Sequence, residues 1–241
     1  MDGVSPLLVG RDRDRRRLRA LIDDARRGQG GAIRIDGPAG VGKSALLASV
    51  VPDDLRCLTT TGTETESSLP LAGLEQLLAA LPGPDATVHD GADPAALLRT
   101  VSERIAAEAP LVVLVDDAQW LDPSSRDAVV FLARRAHRLG IALIAVWSVR
   151  GPAPAPWPDV PVLALHDLDP ADAVELARAR GLAPAVAGSV VAAIGGNPLA
   201  LTELPRQLTA AQRAGRALLP DPLPVGTRLQ QAFADRSGDL P

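Results

Sequence analysis

One short segment constrains the fold of this chain more than any other. Residues 33–36 form an apolar run typical of a buried strand, and a glycine-rich loop follows at once at residues 37–44. The loop fits the pattern G-x-x-x-x-G-K-[ST], and a helix-forming stretch begins at Ala45. Glycines allow the backbone to curl so that successive N–H groups point at one anion. The segment therefore predicts a strand, a phosphate-binding loop and a helix.

The use of lysine supports this interpretation. Lys43 is the only lysine among 241 residues. A compact ammonium suits a site between the β- and γ-phosphates of a nucleotide, where a guanidinium would be bulky. The same pattern places Ser44 where its hydroxyl would bind Mg²⁺. The structural alternative is a glycine-rich turn that only caps a helix.

Two carboxylates end a second apolar run. Residues 111–115 are continuously apolar, as in a strand buried on both faces of a parallel sheet, and Asp116 and Asp117 follow. Carboxylates at such a position are costly unless positive charge is present. We expect Asp116 to hold Mg²⁺ and Asp117 to orient the attacking water as a base. The alternative is a turn and helix N-cap, because Asp122 soon opens the next helix.

Arg150 lies just after another apolar run, residues 141–147. Ligands of open parallel sheets bind beyond the carboxyl ends of the strands. We therefore expect Arg150 on the same edge as the loop and Asp116, where it would sense the charge of the terminal phosphate. The alternative is an ordinary surface arginine.

The order of strand and helix signals indicates an α/β fold. We predict a P-loop NTPase with a mostly parallel central sheet flanked by helices, followed by a small helical lid subdomain. Strand signals end with a last edge strand near residue 165, and predicted helices follow at residues 169–180, 184–194 and 198–208. The predicted domains are a nucleotide-binding core at 1–166 and a lid with the start of a following region at 167–241.

The amino-acid composition limits the kinds of partner that we expect for this chain. A net charge of −4 and an aromatic fraction of 2% argue against nucleic acid as the main partner. An arginine-rich helix is predicted at residues 12–27, and we interpret it as a solvated face, with a nucleic-acid patch as the alternative. The longest apolar run is too short for a membrane span, and the N-terminus lacks a signal-peptide core. We expect a cytoplasmic location and no membrane contact.

Taken together, these motifs resemble the STAND branch of AAA+-like P-loop ATPases. The chain is most similar to the ATPase module of the large ATP-binding LuxR-type transcriptional regulators of bacteria. The matching segments are residues 8–11, the Walker A loop at 37–44, the Walker B run at 111–122, Arg150 as sensor 1, and the G-x-P motif at 196–201.

The resemblance implies ATP or ADP with Mg²⁺ as ligands, and a lid that is closed with ADP and open with ATP. It places Val9 and Arg11 near the adenine, with Pro198 packing the lid against it. The winged helix, the helical sensor region and the LuxR-type helix-turn-helix that usually follow are not visible in this sequence, so we expect no direct DNA contact. The expected nucleotide-binding residues are Gly37, Pro38, Ala39, Gly40, Val41, Gly42, Lys43, Ser44, Ala45, Val9, Arg11 and Pro198. The expected catalytic residues are Asp117, Lys43 and Arg150, and the expected metal ligands are Ser44 and Asp116.

Three functions follow from these features. The first is an ATP-binding switch that hydrolyses slowly, since Asp117 is one methylene shorter than the glutamate of fast AAA+ enzymes. The second is a non-catalytic, nucleotide-bound module whose helical lid docks a partner protein or a second copy. The third is a DNA-binding regulator that uses the basic helix, which the acidic net charge disfavours.

Overall fold

The computed structural model describes residues 8–82, 93–148, 157 and 159–224. Five strands form one sheet in the order β2-β3-β4-β1-β5. The pairs β2–β3, β3–β4 and β1–β5 are parallel. The strands are β1 (Gly31–Gly37), β2 (Arg56–Thr61), β3 (Leu111–Asp116), β4 (Ile141–Ser148) and β5 (Val162–Ala164). This sheet and its flanking helices confirm the predicted α/β P-loop fold class.

Nine α-helices are present in the described ranges. They are α1 (Asp12–Arg26), α2 (Lys43–Ala48), α3 (Ala72–Leu78), α4 (Pro94–Ala107), α5 (Pro123–Leu139), α6 (Pro170–Ala179), α7 (Pro184–Ile194), α8 (Pro198–Gln207) and α9 (Ala210–Arg213). None of the helices within these ranges is long and apolar enough to cross a membrane.

The chain divides into two compact units. The sheet unit consists of Arg13–Asp36 and Leu46–Ala164. The phosphate-loop unit consists of Met1–Asp12, Gly37–Ala45 and Leu165–Pro241. The division into a nucleotide-binding core at 1–166 and a lid from residue 167 stays a prediction.

The core of the sheet unit is built on the two central strands. Residues Leu111 to Val115 and Ile141 to Trp147 are all buried, as their continuous apolar runs predict. Helices α3, α4 and α5 pack their apolar faces onto this core. Asp122 caps α5, and Pro123 occupies its first helical position.

The phosphate-loop unit has its own apolar core. Helices α6, α7 and α8 contribute most of it, with Leu176, Val190 and Leu201 among its buried members. Each of these helices has proline at its first position, where no N–H is needed.

Two helix starts differ from the prediction, and one helix was not predicted. The apolar spacing of residues 69–81 predicts a helix there, but α3 begins at Ala72, because Leu71 adopts a left-handed φ of 67° and interrupts the helix. α2 begins two residues earlier than expected, at Lys43. The short helix α9 was not predicted. The helix expected near residues 227–235 and most of the proline-rich connector after β4 lie outside the described residues.

Candidate functional site

The glycine-rich loop directly follows β1, and Lys43 folds back onto it. The Lys43 Nζ donates to the carbonyl oxygens of Gly37 and Pro38, each at 2.9 Å. The side chain is 7% exposed, so the lone ammonium is held inside the loop. Ser44, the next residue, is exposed at the start of α2.

The next two loop carbonyls bind the residues that open α8. Asn197 Nδ2 donates to the Ala39 oxygen at 3.2 Å, and the Leu199 amide donates to the Gly40 oxygen at 3.1 Å. Asn197 is 5% exposed, and its Oδ1 also accepts from the Leu199 amide at 3.1 Å. One side chain therefore caps α8 and holds the phosphate loop.

Arg11 binds the far side of the loop. Its guanidinium donates to the carbonyl oxygen of Val41 at 3.3 Å and to that of His166. Five successive loop carbonyls, from residue 37 to residue 41, thus accept hydrogen bonds from protein donors. An anion at this loop would be bound through backbone N–H groups, which is the donor set that phosphate requires. The loop therefore fits a phosphate ligand.

Two glycines have backbone angles that favour this residue type. Gly40 has φ of 76° and Gly42 has φ of 99°. A Cβ on Gly40 would lie 2.8 Å from Asn197 Oδ1 and 2.9 Å from Leu199 Cβ. At Gly42 no described atom lies within 4 Å of such a Cβ. Gly40 is therefore required for the close approach of α8 as well as for the turn.

The other residues expected near the adenine, Val9 and Pro198, also lie in the phosphate-loop unit. Val9 packs against the apolar core of α6, α7 and α8. Pro198 occupies the first position of α8, next to the Asn197 cap. The structure thus brings Val9, Arg11, the loop and Pro198 together within the phosphate-loop unit. Their contact with adenine stays a prediction.

The acid pair ends β3 in the sheet unit. Asp117 has a left-handed backbone, with φ of 47° and ψ of 46°, and its N–H donates to Asp116 Oδ1 at 3.0 Å. Its side-chain Oδ1 accepts from Gln119 Nε2 at 2.9 Å. β3 and β1 are separated by β4 in the sheet.

A buried aspartate follows in the same segment and joins two helices. Asp122 is 2% exposed and accepts from the amides of Ser125 at 3.0 Å, Leu71 at 2.9 Å and Gly73 at 3.4 Å. Burial opposes ionisation, but hydrogen bonds from Ser125, Leu71 and Gly73 outweigh it and lower the pKa of Asp122. Asp122 therefore fixes the start of α3 and of α5 at once.

Two parts of the expected site stay predictions. Arg150 lies outside the described residues, so its sensor role stays a prediction. The expected metal ligands Ser44 and Asp116 belong to different units. Within the described ranges, no group of three or more His, Cys, Asp or Glu could hold a metal ion. Mg²⁺ held by nucleotide phosphates and one or two protein ligands needs no such group.

Sequence reasoning missed the two residues that connect the site to its surroundings, Asn197 and Gln119. The signal for Asn197 was its place before a helix-opening proline, which marks a cap but does not reveal the second contact. No local signal gave the partners of Gln119.

These features define a P-loop nucleotide-binding protein. They are a strand, the glycine-rich loop with its lysine and serine that follows it, and an acid pair that ends another strand of the same sheet. The AAA ATPase domain family matches residues 7–146, more than half of the sequence, and the chain belongs to this family. None of the curated proteins compared with the chain matches it.

Solved structures share the fold. Drosophila ORC bound to DNA has a TM-score of 0.62 at 18% identity, covering 95% of this chain and 62% of that chain. A STAND protein with a tetratricopeptide-repeat sensor from Pyrococcus horikoshii has a TM-score of 0.54 at 21% identity, covering 81% and 29%. RuvB from Thermotoga maritima has a TM-score of 0.53 at 15% identity, covering 82% and 61%. The chain thus spans less than two thirds of each of these proteins, and the likeness shows the fold alone.

Proposed function

We propose that this chain is an ATP-binding regulatory switch module that hydrolyses ATP slowly. The observation that carries the proposal is the contact of Asn197 and Leu199 with the carbonyls of Ala39 and Gly40. A phosphate loop bonded to the first turn of a helix cannot shift without moving that helix or breaking its bonds. Nucleotide binding at the loop would therefore change the position or stability of α8.

Lys43 gives this coupling a physical origin. Its ammonium binds two loop carbonyls, at Gly37 and Pro38. An ammonium has three N–H donors, so binding the β- and γ-phosphates would require Lys43 to release at least one of these carbonyls, and the loop backbone would adjust. The adjustment reaches Ala39 and Gly40 through the chain and α8 through Asn197.

The remaining roles follow from the chemistry of each side chain. Bound Mg²⁺-ATP supplies the phosphoryl group that is transferred to water. Asp117 orients the water and accepts its proton, and its short side chain keeps the rate low. In this proposal Ser44 and Asp116 would hold Mg²⁺, and Arg150 would sense the charge of the terminal phosphate. Val9, Arg11 and Pro198 would bind the adenine.

We further propose that the module is of the kind found in LuxR-type bacterial regulators. The run from Asp116 to Asp122 and the run from Gly196 to Leu201 support this relation. In this proposal the helices after residue 167 act as the lid, contact a partner protein or a second copy in the cytoplasm, and do not bind DNA directly. The net charge of −4 supports the last point.

The test compares two single variants with the wild type. Lys43→Ala should abolish ATP binding in a titration calorimeter, because the loop loses its only ammonium. Asp117→Asn should retain binding and lose phosphate release under multiple-turnover conditions. Equal ATP affinity in the wild type and Lys43→Ala would refute the nucleotide site. Wild-type binding without phosphate release above background would favour the non-catalytic interaction module instead.

A further inference from the structure

Gln119 bridges two elements of the sheet unit with one buried side chain. It is 5% exposed. Its Nε2 donates to Asp117 Oδ1 at 2.9 Å, and its Oε1 accepts from the Ser148 amide at 3.0 Å. Ser148 is the last residue of β4, so the bridge joins the end of that strand to Asp117, the residue that follows β3.

The partners of Gln119 fix the orientation of its amide. An ionised carboxylate only accepts hydrogen bonds, and a backbone N–H only donates them. Nε2 must therefore face Asp117 and Oε1 must face Ser148, and a flipped amide would lose both bonds. The contact is specific to glutamine chemistry and is not a consequence of filling space.

The backbone of Asp117 is held separately. Its carbonyl oxygen accepts from the Trp120 amide at 2.9 Å, and its left-handed φ is 47°. Gly62 packs against this turn so closely that a Cβ would lie 2.4 Å from the Asp117 oxygen. With the backbone fixed, the remaining freedom of Asp117 lies in its side-chain torsions, and the Gln119 bond restricts these.

We propose that Gln119 is a positioning residue that aims the Asp117 carboxylate and ties its orientation to the end of β4; this rests on the base role of Asp117 in the proposed function. In this role Gln119 acts through Asp117 and not on the substrate itself. Gln119 binds Oδ1 of Asp117. In this proposal the other carboxylate oxygen, Oδ2, is the one that faces the attacking water. Movement at the end of β4 would act on the base through this bridge.

The first test is Gln119→Glu, which keeps an acceptor for the Ser148 amide but opposes Asp117 with a carboxylate oxygen. We expect kcat to fall about tenfold, because small misplacements of a reacting group cost up to about a hundredfold. ATP affinity should stay unchanged. Gln76→Glu is the matched control, since Gln76 is an exposed glutamine of the same unit whose Oε1 accepts from Thr60 and Thr61. It should leave both quantities unchanged.

The second test needs no turnover. Urea unfolding is measured without nucleotide for the wild type, Asp117→Asn, Gln119→Glu and the combined variant. Asp117→Asn keeps an oxygen for Gln119, so its midpoint should stay near that of the wild type. Gln119→Glu should lower the midpoint, and the combined variant should restore it because the new side-chain amide donates to the new carboxylate. Turnover should not return in the combined variant, since the base is absent.

The outcomes separate the two proposals. Retained turnover in Asp117→Asn would refute the base role and with it this inference. Lost turnover in Asp117→Asn together with wild-type kcat in Gln119→Glu would overturn the positioning role alone. Equal losses of stability in Gln119→Glu and in the combined variant would show that the two side chains are not coupled, and would also overturn it.

Discussion

The side-chain amide of Asn197 donates to the carbonyl oxygen of Ala39 at 3.2 Å, across 158 positions of sequence. The same side chain accepts from the amides of Leu199 and Ala200 and thereby caps α8. One residue thus stabilises a helix end and a phosphate loop with opposite ends of its amide. The two tasks can be separated by mutation.

Asn197→Ser should separate them. Serine is a good N-cap, so α8 should keep its stability to within about 0.5 kcal/mol. The bond to Ala39 should be lost, and nucleotide affinity should fall roughly fivefold, because a neutral hydrogen bond contributes about 1 kcal/mol. Titration calorimetry measures the affinity.

Hydrogen exchange measures the coupling of the loop to α8 in the same variants. ADP should slow amide exchange in α8 of the wild type and have a smaller effect in Asn197→Ser. Asn197→Ala, which loses the cap as well, should expose α8 to exchange even without nucleotide. Identical ADP-dependent protection in the wild type and Asn197→Ser would contradict the coupling.

Gly40→Ala should damage the loop. The substitution places a Cβ 2.8 Å from Asn197 Oδ1 at a residue with φ of 76°. Left-handed strain alone costs about 1–2 kcal/mol, and the collision with Asn197 and Leu199 adds to it. We expect a lower free energy of unfolding and weaker ATP binding, measured by urea unfolding and calorimetry.

Gly188→Ala is the matched control for this change. Gly188 is exposed within α7, and no described atom lies within 4 Å of an added Cβ. Alanine in a helix interior is favoured over glycine by about 0.5–1 kcal/mol. The control should therefore raise stability, and a similar gain in Gly40→Ala would show that the loop tolerates a side chain there.

The stability contribution of Asp122 should depend on pH. Its pKa in the folded protein lies below the ordinary value, despite burial, because of hydrogen bonds from Ser125, Leu71 and Gly73. Because the pKa of Asp122 is lower in the folded protein than in the unfolded chain, its ionised form stabilises the fold. This contribution is fully present above the unfolded pKa of about 3.9 and is lost as the pH falls through the folded pKa. Asp122→Asn should therefore destabilise the protein by about 1–3 kcal/mol at pH 7.

The difference in free energy of unfolding between Asp122→Asn and the wild type should therefore be smaller at pH 3 than at pH 7. Urea unfolding at both pH values measures it. Asp127→Asn, at an exposed position of the same helix, controls for the removal of a carboxylate from α5. A difference that is constant with pH would show that Asp122 contributes through shape and not through its charge.

The parts of the fold that the sequence predicted depend on local chemistry. The continuous apolar runs of β3 and β4 predicted strands buried on both faces, and both are buried. The loop motif predicted the junction of β1 and α2. Each of these signals lies within a few residues of the feature it predicts.

The parts that the sequence did not predict depend on residues far apart in the chain. The start of α3 is set by Asp122, which binds Leu71 from 51 positions away. Gln119 meets Ser148 across 29 positions. A sequence pattern shows that such side chains are polar, but the partner is chosen by the packing of whole elements. These residues are therefore found only once the fold is known.

The single lysine of this chain has a chemical consequence. Reagents that acylate primary amines find one side-chain target in the whole sequence, and it lies inside the phosphate loop with 7% of its surface exposed. Apart from the α-amino group, any amine of this protein that carries such a label lies in this loop. Arginine at every other basic position has left the protein with a site-selective handle for covalent inhibitors and probes.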